Sequence, residues 1–210
     1  MKKHVITFML IISSLFVNAQ GNKNFVSDIN LDISASLSVS SCNNIYDKGK
    51  FGFALGLDAR KPILNYPNDR STIYGLVGLH YSKRGGQTTN DIWNKAFSEK
   101  SLSPSYIMLP VHVGYSYQFK KCSIFIDFGP EFSMMVGGEG DANDQEVELS
   151  TLEFGYSGSL GIRFKNFAFA ISNYNGLTKF GTHLNSMEEY GNGKINLKNR
   201  TEYISLIWTL

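Results

Sequence analysis

The sequence has few prolines and cysteines, no long apolar run after its first 20 residues, and no large excess of either charge. Of its 210 residues only 5 are proline and 2 are cysteine, and 18% are charged. Beyond residue 20 there is no run of 18 apolar residues, which excludes a membrane-spanning helix in the mature chain. The apolar content of 42% also excludes a disordered chain, because such chains combine low hydrophobicity with high net charge.

Residues 1–19 have the three parts of a secretory signal peptide. A basic start at 1–4 precedes an apolar segment at 5–17, and Ala19 ends a small-residue cleavage site. We therefore expect a cleaved signal at 1–19 and one domain at 20–210. Removing Lys2 and Lys3 leaves 18 basic and 18 acidic residues, so nothing in the charge indicates a nucleic-acid partner.

What the chain does contain is aromatic residues, glycine and strict alternation. It has 15 Phe, 11 Tyr and 20 Gly, a composition typical of strands and tight turns. In 30–40 every second residue is polar and those between are apolar, which predicts a strand with one wet and one dry face. Seven further segments alternate in the same way, so we expect eight strands: 51–60, 73–82, 107–119, 124–133, 152–164, 167–172 and 203–210 are the other seven.

The connections between these strands differ in length. Long and short connections alternate, which predicts an up-and-down meander whose two ends face different environments. Transmembrane barrels have short periplasmic turns and long extracellular loops. The short connections are 120–122 and 165–166, 61–71 is moderate, and the long ones are 41–50, 85–104, 137–150 and 177–198.

The two faces of the strands decide between a soluble and a membrane barrel. The apolar face is bulky, whereas Gly, Ala, Ser and the charged residues share the other face, which suits the narrow interior of an eight-stranded barrel. Aromatic residues such as Tyr117, Phe119 and Trp208 lie near strand ends, as in interfacial girdles. We therefore predict an all-β fold, an eight-stranded antiparallel up-and-down transmembrane β-barrel. A soluble barrel with its apolar face inside is the alternative.

Several motifs follow one another in a fixed order. A proline-containing strand, SYIMLPV at 105–111, is followed by VGYSY at 113–117 and by IDFGPEF at 126–132. An upstream strand ends LHYSKRG at 79–85. Later segments are NYNGLT at 173–178 and NRTEY at 199–203.

These motifs, over about 50–210, resemble the PorT-type outer-membrane β-barrel family common in Bacteroidota. The resemblance implies an eight-stranded barrel in the outer membrane of a Gram-negative bacterium, usually without an assigned activity. The family's namesake takes part in protein export. The chain departs from a common outer-membrane pattern by ending in Trp208-Thr209-Leu210 rather than in Phe.

The ionisable residues on the small-residue face are the best candidates for chemistry. One interpretation is a plug of mutually paired charges, because buried charges are normally paired. The other makes His80 or His112 a general base polarised by a carboxylate. We expect Asp32, Asp58, Arg60, Asp127 and Arg163 in the periplasmic half of the lumen, with Arg163 near Asp127 or Asp58; His80, Arg84, Glu153 and Glu202 in the outer half; and His112 and Glu131 near the middle.

The loops and cysteines give further expectations. The acidic segment 138–150 lacks EF-hand spacing, so a solvated loop is favoured over a Ca²⁺ site. The extracellular loops 85–104 and 177–198 are possible protein contacts, and apolar residues at 92–97 fit a short amphipathic helix that caps the barrel. Cys42 and Cys122 are expected at opposite ends of the barrel, too far apart to pair.

The sequence thus predicts a small outer-membrane barrel, bound to lipid, with a non-enzymatic structural, surface-interaction or export-accessory role. We assign no catalytic, cofactor-binding or metal-binding residue. A passive channel is one alternative, disfavoured because side chains fill the interior of eight-stranded barrels. A lumen hydrolase is the other. GSLG at 158–161 lies inside a predicted strand, so it is not a nucleophile elbow.

Overall fold

The computed structural model describes residues 29–42, 48–66, 70–87, 101–140, 147–179, 181–184 and 194–210. The described part contains no helix that is long and apolar enough to cross a membrane. The described residues form twelve strands: β1 (Asn30–Cys42), β2 (Lys48–Tyr66), β3 (Ser71–Lys83), β4 (Gly86–Gln87), β5 (Ser101–Gln118), β6 (Cys122–Gly140), β7 (Val147–Leu149), β8 (Leu152–Phe164), β9 (Phe167–Gly176), β10 (Gly181–Leu184), β11 (Lys194–Leu197) and β12 (Asn199–Thr209).

Eight of these strands close into a barrel. The order is β1-β12-β9-β8-β6-β5-β3-β2, every pairing is antiparallel, and β1 pairs with both β12 and β2. The short strand β4 bridges β2 and β5, while β7, β10 and β11 form a separate small sheet. The predicted eight-stranded antiparallel barrel is confirmed. We call the end with the turns at 120–121 and 165–166 the lower end, and the opposite end the upper end.

The two faces of the barrel wall follow the alternation in the sequence. Bulky apolar side chains point outward, with Leu37 73% and Ile204 68% exposed, while Ser34, Ser38 and Ser205 between them are buried. This arrangement is opposite to that of a soluble barrel. The described part therefore has an apolar outer wall and a polar lumen, as predicted.

Three aromatic side chains inside the barrel lie over glycines of the neighbouring strand. The ring of Tyr74 covers Gly114 and that of Phe125 covers Gly161, each directly opposite in register. Tyr174 covers Gly155 diagonally, because its partner in register is Ser157. A methyl group at any of these glycines would collide with the ring. The small residues of the inner face thus make room for rings in a narrow barrel.

Strand ends were predicted less accurately than strand faces. The moderate connection expected at 61–71 is wrong, because β2 continues to Tyr66 and pairs with β3 up to Ser71. A register shift between Pro62 and Leu64 accommodates the proline, which cannot donate a ladder hydrogen bond. At the upper end, β5 already begins at Ser101 and β6 runs to Gly140, so the expected loops 85–104 and 137–150 are partly strand.

Some expectations concern residues that the structure does not describe. The signal peptide at 1–19, the amphipathic segment at 92–97 and most acidic residues of 138–150 lie outside the described residues. For the cysteines, Cys122 is a free thiol. The backbone of Cys42 pairs with Asn199 at the upper end, whereas Cys122 pairs with Phe164 at the lower end, as expected.

Candidate functional site

The lower part of the lumen is crossed by two arginines that share one carboxylate. Arg60 Nε lies 3.1 Å from Asp32 Oδ2, and Arg163 Nη2 lies 3.0 Å from the same atom. Thr209 donates a hydrogen bond to the other Asp32 oxygen. We call Asp32, Arg60 and Arg163 the lower cluster. The expected placement of Arg163 near Asp127 or Asp58 is wrong, because barrel closure brings β1 within reach of the lower end of β8.

The two arginines also lie over the aromatic rings of the lumen. Arg60 Cζ is 5.4 Å from the ring centre of Tyr74, and Arg163 Cζ is 5.6 Å from that of Phe125. A guanidinium within about 6 Å of a ring centre is attracted by the ring's negative face. The rings that cover the interior glycines therefore also support the lower cluster.

The middle of the lumen holds a four-residue network. His112 Nδ1 lies 2.9 Å from Asp127 Oδ1, and His112 Nε2 lies 2.8 Å from Ser157 Oγ. Tyr74 donates a hydrogen bond to the other oxygen of Asp127 at 3.1 Å. All four residues are buried. We call Tyr74, His112, Asp127 and Ser157 the middle network.

A second histidine–carboxylate pair lies beside this network. His80 Nε2 is 2.7 Å from Asp58 Oδ1, with Asp58 buried and His80 half-buried. Both histidines that the sequence singled out thus contact a carboxylate, as the general-base interpretation required. The same contacts satisfy the plug interpretation, so they do not distinguish the two.

The upper part of the lumen is built around Arg84. Its Nη2 lies 2.6 Å from Glu131 Oε1, and its Nε donates to the Tyr203 hydroxyl at 2.9 Å. The guanidinium carbon is 3.9 Å from the ring centre of Tyr174 and 5.4 Å from that of Tyr106. We call Arg84, Glu131, Tyr174 and Tyr203 the upper cluster. Its arginine is completely buried, with a side-chain exposure of 0%.

A second carboxylate completes the upper lumen. Glu153 Oε2 accepts a hydrogen bond of 2.9 Å from Asn199 Nδ2, which also donates to the Tyr106 hydroxyl at 3.1 Å. All three residues are buried. Tyr106 joins them to the upper cluster, because its ring lies against Arg84.

The barrel contains two open spaces, one in the lumen and one at its lower mouth. A cavity of about 90 Å³ is bordered by all three groups, including Arg163, Ser157 and Glu131. That volume holds about three water molecules. A wider space of about 450 Å³ lies at the lower mouth, and Arg163 borders it as well.

The sequence identified which charges face the lumen with one exception, but not all of their heights: Glu131, expected near the middle, belongs to the upper cluster, and Asp58 and His80, expected in opposite halves, contact each other. Glu202 does not face the lumen: it is exposed on the outer wall, 3.4 Å from Arg200. Glu202 lies two and four residues before Ile204 and Leu206 in β12, so it belongs to the same face of the strand. Since that face was predicted to point outward, the alternation also indicates an outward Glu202. The lumen partners Ser157, Tyr174 and Tyr203 were not singled out, although their inward parity was visible.

The described residues hold no group of three or more His, Cys, Asp or Glu side chains that could bind a metal ion. Ser159 lies within β8 rather than at a strand-to-helix turn, in agreement with the rejection of the nucleophile elbow. Whether 138–150 binds a cation concerns residues mainly outside the described part.

Comparison with known proteins gives the class of the fold. No family model and no curated protein matches the chain. Among solved structures, the outer membrane protein OprG from Pseudomonas aeruginosa has a TM-score of 0.51 at 8% identity, covering 88% of this chain and 96% of that one. The outer membrane enzyme PagL gives 0.47 at 12% identity over 83% and 98%, and Ail of Yersinia pestis gives 0.41 at 11% over 87% and 97%.

These similarities define the fold and no further property. The chain has the fold of the small eight-stranded outer-membrane β-barrels. At such low identity the activity of any of these proteins is not transferred, and they include PagL, which is an enzyme. The resemblance to the PorT-type family stays a prediction.

Proposed function

We propose that the protein resides in the outer membrane of a Gram-negative bacterium as a plugged, non-enzymatic barrel that anchors an extracellular interaction surface. The apolar outer wall and the fold class support the location. The resemblance to PorT-type barrels adds an export-accessory role and an origin in Bacteroidota to the proposal, and the signal-like residues 1–19 supply the route of export.

The observation that carries the proposal is the succession of ion pairs along the lumen. Arg60 and Arg163 give the lower cluster an excess of positive charge, while Glu131 and Glu153 outnumber Arg84 at the upper end. The positive lower cluster repels a permeating cation, and the negative upper end repels a permeating anion. Both barriers lie in an interior that side chains already fill.

Planar-bilayer conductance tests the plug. We expect no steps above the lipid baseline for the wild-type protein. Arg84→Ser combined with Arg163→Ser removes both obstructions and is expected to raise conductance, with Lys83→Ser as the control substitution outside the clusters. Regular conductance steps from the wild-type protein would instead support the passive channel.

The location and orientation have their own test. Protease added to intact cells is expected to cut within 85–104 or 177–198 and to spare Lys120, Lys121 and Lys165, which occupy the short turns. Cleavage at Lys120 in sealed cells would contradict the orientation. A protein recovered only in soluble fractions would contradict the location.

The interaction surface is proposed for the upper end, where two observations support it. β5 and β6 have 18 and 19 residues, more than a tilted crossing requires, so their upper ends extend the wall beyond the bilayer. Within the expected contact region 177–198, β10 pairs with β11 on one side and with β7 on the other, which forms a small sheet separate from the barrel wall. Replacing 88–100 or 181–197 by a short Gly-Ser linker keeps every strand of the barrel wall, so it should leave barrel assembly intact and abolish binding to a partner protein.

A second candidate function rests on the middle network. Ser157, His112 and Asp127 have the contacts of a serine hydrolase triad, with Ser on one imidazole nitrogen and Asp on the other. Three features disfavour it. The serine is buried, the cavity holds only a few waters, and the backbone amides around Ser157 take part in pairing with β6 and β9, so they do not form an oxyanion hole.

Reaction with a fluorophosphonate distinguishes the two functions. A plugged, non-enzymatic barrel is not labelled and does not accelerate ester hydrolysis. Labelling that disappears in Ser157→Ala but persists in Ser159→Ala would support the hydrolase. Ser159 is a matched control because it faces the same lumen from the same strand.

A further inference from the structure

The space of about 450 Å³ at the lower mouth has a one-sided chemistry. It is lined by Lys120 and Lys121 from the β5–β6 turn, Lys165 from the β8–β9 turn, and Arg163 at its inner side; Gln118 and Ser123 complete the lining. Four of the six residues are cations, and among the described residues that line it there is no carboxylate. We call this space the lower vestibule.

The carboxylate that contacts Arg163 does not neutralise this charge. Asp32 lies behind Arg163 and is shared with Arg60, so the lower cluster itself has one positive charge in excess. The three lysines add to it. Positive charges that are held together at a low-dielectric wall attract anions and raise their concentration at the opening.

The two turns are brought together by strand pairing rather than by flexible side chains alone. β6 pairs with β8 from Cys122 opposite Phe164 upward, so the β5–β6 and β8–β9 turns are neighbours on the rim. Lys165 takes a positive φ of 51°, which fixes a tight two-residue turn. The backbone positions of these cationic residues are therefore set by the barrel.

We propose that the lower vestibule binds a multivalent phosphate-type anion. Several mobile ammonium groups around an open space suit phosphate oxygens, for which lysine serves as a point charge. The volume exceeds that of one inorganic phosphate and lies in the range of small-molecule sites. The site shares Arg163 with the lower cluster and lies at the opposite end of the barrel from the upper surface.

Two sources can present this chemistry at the lower end. One is a free phosphorylated compound that enters from the periplasm. The other is the headgroup of an anionic phospholipid in the inner leaflet, because the aromatic pairs Phe167–Trp208 and Tyr117–Phe119 next to these turns mark the membrane interface. The experiment therefore has one arm for each source.

The protein is reconstituted as the full barrel in nanodiscs. In the first arm the lipid is phosphatidylcholine and pyrophosphate is titrated by calorimetry at low ionic strength. In the second arm the nanodisc contains phosphatidylglycerol, and retained lipid is counted by native mass spectrometry. The test variant is Lys120→Gln/Lys121→Gln/Lys165→Gln, and the matched control is Lys83→Gln/Lys179→Gln/Lys198→Gln at the upper end.

We expect the lower triple variant to weaken binding by at least about tenfold, as loss of three partly solvated charge contacts implies. The upper triple variant should bind within about twofold of wild type, and added salt should weaken binding of wild type. Loss of pyrophosphate binding assigns the free source, and loss of retained phosphatidylglycerol assigns the lipid source. No binding of either probe, or equal loss in both triple variants, would overturn the proposal. Heat-modifiable gel migration verifies that each variant is folded.

Discussion

The lower and upper clusters solve the same problem, an arginine inside a membrane barrel, in different ways. In the lower cluster two arginines share Asp32, and their side chains are 13% and 16% exposed. In the upper cluster Arg84 has one carboxylate partner and no exposure. Arg163 of the lower cluster borders the open vestibule, whereas tyrosines enclose Arg84.

This difference separates two effects that are often combined under the term salt bridge. An arginine that borders an open space keeps part of its solvation, and removing one partner leaves the remaining charge partly hydrated. A fully buried arginine has lost all its solvation, so its stability depends on Glu131 and on the tyrosine faces and hydroxyl around it. The upper cluster should therefore dominate the stability of the lumen, and the lower cluster should be tolerant and accessible to ligands.

The largest expected effect is that of Arg84→Met. It leaves Glu131 buried without its cation and should lower the free energy of unfolding by about 3–5 kcal/mol. Urea unfolding in lipid vesicles, followed by tryptophan fluorescence, measures it. The double variant Arg84→Met/Glu131→Gln removes the uncompensated charge and should recover part of the loss. A single variant as stable as wild type would show that the upper cluster is not a stabilising pair.

The next effect is that of Arg163→Met in the lower cluster. Arg60 still contacts Asp32, so we expect a loss of about 1.5–3 kcal/mol, the range of hydrogen bonds to charged groups. The same urea titration measures this loss, and Lys165→Met in the adjacent β8–β9 turn is the control. A loss equal to that of Arg84→Met would contradict the distinction between the clusters.

The alternation in the sequence was sufficient to predict the strands that form the barrel wall and the face that each turns outward. A period of two identifies strands, and the bulk of one face and the small residues of the other identify which side meets lipid. It could not give strand ends, because residues such as Lys61 and Pro62 join β2 through pairing with β3, a tertiary contact. The expectation that Glu202 faces the lumen was wrong, although Glu202 alternates in step with the outward-facing Ile204 and Leu206.

The partners within the lumen could be predicted only in part. Parity selects which side chains enter the lumen, but the contacts there depend on the stagger between strands and on closure of the barrel. Asp32 and Arg163 lie 131 residues apart and meet only because β1 pairs with β12. Ser157 contacts His112 across the stagger of β5, β6 and β8. No local pattern in the sequence contains these distances.

A smaller effect is expected between the two clusters, in the middle network. Tyr74→Phe deletes the hydrogen bond to Asp127 and keeps the ring over Gly114 and beneath Arg60. The loss in unfolding free energy should be about 1 kcal/mol, because Asp127 retains His112 as a partner. Tyr74→Ala also uncovers Gly114 and should cost more. If the two variants lose the same stability, the ring contributes nothing and only the hydroxyl matters.

The smallest effect extends the same comparison to the outer wall. Arg200 and Glu202 form an ion pair 3.4 Å long, with side chains 64% and 62% exposed. Water solvates each partner when the other is removed, so Arg200→Ala should change the unfolding free energy by no more than about 0.5 kcal/mol. Added salt should reduce even that difference, whereas it should hardly alter the effect of Arg84→Met, because a buried pair is screened much less. A loss at Arg200 comparable to that at Arg84 would mean that exposure does not govern the strength of the charged pairs in this barrel.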